Sequence, residues 1–253
     1  MLSKHQKRQL SHIKKYALSI DWDAAFGGKS KGNKHLFRIV KIAQFLAKHE
    51  GADEFIVLAG TWLHDVPLSQ GSDYNYKRNK QIAKTILAQF TLSPQICDAI
   101  IECIAAHEGV TTPKTLEAKI VHDADVLEKS GLLGIIRHTW KLVHLQKIKN
   151  AYITDNVIKK ITNHIQWRSR RLQIPLARKI HNRMSFDSKP QDIKRLIKTI
   201  STLAEQNIIT EDIATHLRSD LTLQQWKVLK SQLTLSYLHH FKKVPKKSPP
   251  RYG

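Results

Sequence analysis

Apolar residues recur at helical spacing along almost the whole chain, and the strict alternation of a half-buried strand is scarce. After Gly32, the positions Leu36, Ile39, Val40, Ala43, Leu46 and Ala47 share one helical face that ends near Gly51. Asp53 is placed to cap a second helix through Phe55, Val57, Leu58 and Trp62 to about Asp65. Pro67 is expected to stop that helix, and residues 66–76 to form a loop. Ile82, Ile86 and Leu87 predict a short helix. Ser93-Pro94 is a start signal, Ser as cap and Pro at the first helical position, for a helix carrying Ile96, Ala99, Ile100, Cys103, Ile104 and His107 up to Gly109. Thr112-Pro113 is expected to open the next, which holds Ile120, Asp125 and Leu127, and another runs from Leu132 past Val143.

Residues 153–186 read as basic helix, and Lys189-Pro190 marks a seam. Beyond it Ile193, Leu196, Ile197, Ile200, Leu203 and Ala204 predict one amphipathic helix, Thr210 caps a second, and Leu223 to Phe241 supply a third. The expected fold class is all-α. The expected organisation is a basic, helical N-terminal segment over residues 1–29, a main domain over 30–187, an accessory helical region over 190–241 and a disordered basic tail over 242–253.

Composition narrows the classes. At 41% hydrophobic the chain can bury a core, which excludes wholesale disorder. No apolar run approaches the roughly 20 residues that span a bilayer. The basic start, Met1 to Arg8, has no apolar stretch behind it, so no secretory signal is read and a cytoplasmic location is expected. Cys97 and Cys103 lie six apart within one predicted helix, which suits neither the common zinc patterns nor an intrahelical disulfide, and they read as two buried thiols in a reducing compartment. The formal charge of +21 favours anionic partners: phosphorylated metabolites, nucleic acid or anionic lipid. Acidic residues concentrate in 97–128, while 29–48, 77–84 and the chain from 137 onward are basic.

Four residues stand out as candidate chemistry: His35, the doublet His64-Asp65, and Asp125. Two imidazoles and two carboxylates suit a divalent cation. The nitrogens favour Mn, Fe, Co, Ni or Zn, and the carboxylates keep Mg and Mn in contention. Such a cation acidifies a bound water, which attacks phosphorus, and polarises a phosphoryl oxygen. By spacing alone, ligands separated by 29 and 60 residues form no compact motif. His35 then reads equally as a surface residue and Asp125 as a satisfied helical carboxylate. Adjacent residues on a helix diverge by about 100°, so His64 and Asp65 can converge only where the helix ends.

His35-x-x-Arg38-Ile39-Val40, Ala52-Asp53 with Leu58-Ala59 and Leu63-His64-Asp65-Val66, Ile104-x-x-His107, and Lys119-Ile120-Val121-x-Asp123-Ala124-Asp125-x-Leu127-x-x-x-Gly131 follow one another in an order that resembles the HD-domain phosphohydrolase superfamily. The nearest likeness is to the bacterial branch whose last motif is Asp-Ala-Asp-Arg-Leu-Asp, and it spans roughly residues 30–187. Gly134-Ile135-Ile136-Arg137 and Pro175-Leu176-Ala177-Arg178 are similar to that branch too. The resemblance implies an all-helical bundle and one divalent metal held by His35, His64, Asp65 and Asp125. It further implies a metal-dependent phosphohydrolase acting on an ester or anhydride of a small phosphorylated metabolite, a nucleotide being one such substrate. Val126 and Glu128 depart from the branch, which has Arg and Asp there, and Asn79 stands about where some relatives carry another metal-binding His. The guanosine alarmone hydrolases share the metal pattern but follow the doublet with a Glu-Asp pair that this chain lacks.

Within that frame Asp65 and His107 are the candidate catalytic residues. His107 ends an apolar stripe, so it either projects into the pocket to contact phosphate and protonate the leaving oxygen or is a core histidine satisfied by a carbonyl. Arg38, on the helix face of His35, either binds phosphate or pairs with a carboxylate such as Asp123. Asp123 is expected to orient a ligand, or to be the ligand if the register is shifted. Arg137 is a candidate substrate-binding cation, and Lys77, Arg78 and Lys80 are either that or ordinary surface charge. The aromatic and basic mixture around Trp226-Lys227 and Tyr237 to Lys243 suggests the alternative function, a nucleic-acid-binding protein with the HD fold as scaffold. The same aromatics read equally as core, and the region as a bundle for docking or dimerisation.

Overall fold

A computed structural model of the chain describes residues 2–20, 34–72, 74–149, 153–184 and 189–241. The expected basic tail, 242–253, lies outside these residues, as does the latter part of the N-terminal segment. The described residues form helices and no strand: α1 (Lys4–Ser19), α2 (His35–Glu50), α3 (Glu54–Leu63), α4 (Val66–Ser69), α5 (Tyr76–Leu87), α6 (Pro94–Ala106), α7 (Leu116–Glu128), α8 (Gly131–His144), α9 (Asp155–Ser169), α10 (Pro175–Arg183), α11 (Pro190–Glu205), α12 (Thr210–His216) and α13 (Leu223–Thr234), with 3₁₀ turns at Leu217–Asp220 and Ser236–Phe241.

The caps explain most boundaries. The Asp53 carboxylate accepts from the amides of Phe55 and Ile56 at 2.8 and 3.1 Å, and Ser93 takes the Ile96 amide ahead of Pro94. Four expectations need correction. Pro67 does not stop a helix; it occupies the first turn of α4, where a missing N–H costs nothing, so residues 66–76 are not all loop. The helix carrying Asp125 opens at Thr115, whose hydroxyl takes the Ala118 amide, and not at Thr112-Pro113. Ile209 precedes α12 and Thr210 is its first residue. The segment from Leu223 to Phe241 is broken at Leu235, whose φ of 59° ends α13.

α7 is the central element, buried from Ile120 through Glu128. It packs on α2, α3 and α6, and α2 packs on α3. One core joins α2, α7 and α10 to the final turn at Leu235–Phe241. A second lies between α1, α3, α5 and α6 and includes Trp62, as its helical spacing predicted. Each apolar side chain fully buried in these cores contributes about 1.5–3 kcal/mol relative to exposure. A third core is shared by α8 and α9 with α11, α12 and α13, so packing does not separate residues 190–241 from the helices before the seam at Lys189-Pro190. Tyr237 and Phe241 are buried, and Trp226 packs against the third core beneath Arg218. No helix of the described residues is long and apolar enough to cross a membrane. Both cysteines are free thiols, but only Cys103 is buried; Cys97 is partly exposed, contrary to the expectation of two buried thiols.

α3 and α6 approach closely because Gly60 carries no side chain: a Cβ there would lie 2.5 Å from Cβ of Cys103. Gly60 is one turn before His64, and α6 leads into His107. Gly60→Ala is therefore expected to destabilise the protein by about 1–3 kcal/mol through overpacking, read as a lower thermal midpoint.

Candidate metal centre

Three imidazoles meet where α2, α3 and α6 converge on α7. His35 is the first residue of α2. His64 and Asp65 form the turn between α3 and α4, where Asp65 has φ −87° and ψ 0°. Both residues keep right-handed helical backbone angles, and their side chains still meet at one centre, with His64 Nε2 3.3 Å from Asp65 Oδ2. His107 follows the last residue of α6, and Asp125 projects from the last turn of α7.

Each ring commits its Nδ1–H outward. His35 donates to Glu128 Oε2, His64 to the Thr61 carbonyl and His107 to the Ile104 carbonyl, each at 2.7 Å. The three Nε2 atoms, buried and without hydrogen-bond partners, are left turned inward. Glu108 Oε1 is likewise buried and unpartnered, and Asp125 Oδ1 has no aligned hydrogen bond although Nζ of Lys129 lies 2.9 Å away. Asp65 Oδ2 stands 3.3 Å from Nε2 of both His35 and His64, and Asp125 Oδ1 stands 3.6 Å from the same two atoms. His107 Nε2 is 3.6 Å from Asp65 and 3.4 Å from Glu108.

These spacings are wider than a shared proton gives. An imidazolium sharing its proton with a carboxylate closes to about 2.7–2.9 Å. A cation about 2.0–2.2 Å from nitrogen and oxygen ligands holds neighbouring ligand atoms roughly 3.0–3.5 Å apart. The cluster has the wider spacing, and its donor set is one that could hold a divalent metal. Burial works against charge on His64 and His107, yet Asp65 and Asp125 push His64 up to about 9, while Asp65 and Glu108 push His107 up to about 10. Burial and Arg137 hold His35 below its usual value, which keeps that ring neutral.

Around the centre stand groups that sequence reasoning missed. Arg168, from α9, pairs with both Glu108 and Asp125, and Lys129 adds its ammonium to Asp125. Despite burial, these two cations keep Asp125 well below the usual carboxylate range. Lys129 was legible, four residues after Asp125 on the same helix face. Glu108 was legible too, as the neighbour of His107. Glu128, read as a departure from the family pattern, is the partner that orients His35.

The other expected residues divide. Arg137 reaches Glu128 at 3.0 Å and lines a cleft beside the cluster. Asp65, Lys129 and Arg168 line the same cleft, as do Tyr74, His138 and His164. The His138 and His164 rings stack at 4.1 Å, and burial lowers both, His164 to about 4, so both are neutral. Arg38 does not reach the cleft: buried, it spends its guanidinium on Glu128 and Glu211. Asp123 touches no ligand and does not replace Asp125. It accepts the amides of Gln173 and Ile174 at 2.7–3.0 Å and so anchors the corner before α10. Lys77, Arg78 and Lys80 are exposed on α5 and do not line the cleft. Asn79 accepts the Ser72 hydroxyl.

Residues 33–130, from the start of α2 to the end of α7, match the HD domain family model. Among solved structures, the chain is similar to a crystal structure from Lactobacillus plantarum determined as a structural genomics target. The two are 21% identical with a TM-score of 0.55, over 81% of this chain and 100% of that one. That likeness establishes a shared fold and says nothing of activity. A search of curated proteins finds no match.

Proposed function

We propose that the HD domain at residues 33–130 makes this chain a metal-dependent phosphohydrolase acting on a small phosphorylated metabolite. One observation carries the reading: three inward Nε2 atoms and the carboxylates of Asp65 and Asp125 converge, and Asp65 also lines a cleft that Lys129, Arg137, Lys141 and Arg168 share. His35, His64, Asp65 and Asp125 would hold the ion, which would acidify a bound water and polarise a phosphoryl oxygen.

The protein's own groups then have separable tasks. Glu128, Thr61 and Ile104 fix the tautomers of the three rings. Lys129, Arg137 and Arg168 balance the charge of a phosphate entering the cleft. His107, whose Nε2 faces Asp65 and Glu108, is the group that would give a proton to a leaving oxygen. The wall of Tyr74 and the neutral His138 and His164 rings suits a planar leaving group such as a nucleobase-bearing alcohol. Among the described residues of the C-terminal region, Tyr237 and Phe241 are buried and so are not available to stack on bases.

The test begins with the metal content of purified protein. Hydrolysis of an aryl phosphate and a nucleotide panel follows, with Mn²⁺, Mg²⁺, Co²⁺ or Ni²⁺. Activity that a chelator removes, and that Asp65→Ala loses by at least about 10²-fold, is the expected outcome. A protein that takes up no divalent metal, or whose hydrolysis survives Asp65→Ala, sinks the assignment.

A further inference from the structure

We propose that Glu211, on α12, is a positioning residue for His35, so that the helices beyond residue 130 complete the metal centre; this rests on reading the cluster as a metal site. Glu211 lies far outside the matched segment, yet its Oε1 sends two lines to His35. The first is backbone. Oε1 accepts the Lys34 amide at 2.9 Å, the N–H immediately before His35, at a helix start that no side chain of α2 caps. The second runs through side chains. Arg38 Nη1 donates to the same oxygen at 2.6 Å, Arg38 Nε donates to Glu128 Oε1 at 2.8 Å, and Glu128 Oε2 takes the His35 Nδ1–H at 2.7 Å. The Thr210 hydroxyl holds the other Glu211 oxygen at 3.1 Å.

Charge gives the chain its direction. Glu128 faces two guanidiniums, Arg38 on one oxygen and Arg137 on the other. Glu211 supplies Arg38 with a second carboxylate and so leaves Glu128 a stronger acceptor for the His35 ring. A carboxylate that accepts Nδ1–H strongly makes the opposite nitrogen a better donor to a metal and fixes the ring's orientation. Without Glu211, both guanidiniums bear on Glu128 alone, and the start of α2 loses its only side-chain acceptor for the Lys34 amide among the described residues.

A mere tether between α12 and α2 would lower stability when cut and leave metal affinity unchanged, and the experiment separates the two. Co²⁺ is titrated into full-length wild type, Glu211→Gln and Glu211→Asp, followed by visible absorption, alongside thermal unfolding of the metal-free forms. Glu211→Gln is expected to weaken Co²⁺ binding by about 10–100-fold, with Glu211→Asp in between because it keeps the charge and loses reach. Should the Gln variant not fold, the Asp variant decides, and weaker binding supports the proposal. Wild-type affinity in a folded variant overturns it, whatever happens to the unfolding midpoint. Failure of the wild type itself to bind Co²⁺ overturns the metal reading along with it, and is told apart because it appears before any substitution.

Discussion

His64→Ala is expected to abolish the stabilisation that divalent metal gives the wild-type protein. A ligand present at 100 times its dissociation constant stabilises the native state by about 2.7 kcal/mol, which for a chain of this size raises the thermal midpoint by about 5–10 °C. His64 is fully buried, and its Nε2 serves nothing but the centre, since Nδ1 is committed to Thr61. The substitution also removes buried volume and frees the Thr61 carbonyl, so the metal-free variant melts lower than wild type. The informative quantity is therefore the difference between melts with Mn²⁺ and with chelator, measured for each protein separately. That difference is expected to vanish in His64→Ala along with hydrolysis. A variant that still gains several degrees from Mn²⁺ would place the ion elsewhere.

The residues of the centre were legible in the sequence to the extent that the family pattern reached them. His35, His64, Asp65 and Asp125 come together, and periodicity placed three of them near helix ends, where the chain can turn their side chains inward. His107 adds a third inward nitrogen to the four expected ligands. Asp53 and Ser93 were readable as caps because capping is decided within three residues. What failed was either a local ambiguity or a contact remote in sequence. Pro67 suits a helix stop and a helix first turn equally, and only the Asp65 turn selects the second. Asp123 and Asp125 differ by two positions and hence by a helix face, and the amides of Gln173 and Ile174 claim one of them. Arg168 lies 43 residues from Asp125, and Glu211 173 residues from Arg38. No periodicity in either helix announces which carboxylate or guanidinium will meet it, so the parts played by Arg168 and Glu211 were invisible until the chain was folded.

Arg168→Leu is expected to make the protein's stability depend on metal. The metal-free centre buries three carboxylates, Asp65, Glu108 and Asp125, against the ammonium of Lys129 and the guanidinium of Arg168. Removing one partner of a buried ion pair costs about 3–5 kcal/mol, because the charges left behind stay desolvated without compensation. In the variant Glu108 retains the His107 ring at 3.4 Å and Lys129 at 4.0 Å. Folding then proceeds against the mutual repulsion of the three carboxylates. A divalent cation among the same oxygens replaces the lost charge. The gain on adding Mn²⁺ should therefore be larger in Arg168→Leu than in wild type, although the variant unfolds earlier in chelator. Urea unfolding with and without metal gives both numbers. Arg168→Lys separates charge from shape: a single ammonium cannot span Glu108 and Asp125 as the planar fork does, so it should recover only part of the metal-free loss. Equal metal-induced gains in Arg168→Leu and wild type would mean that Arg168 does not share its carboxylates with the ion, and that the site's negative charge is answered by protein groups alone.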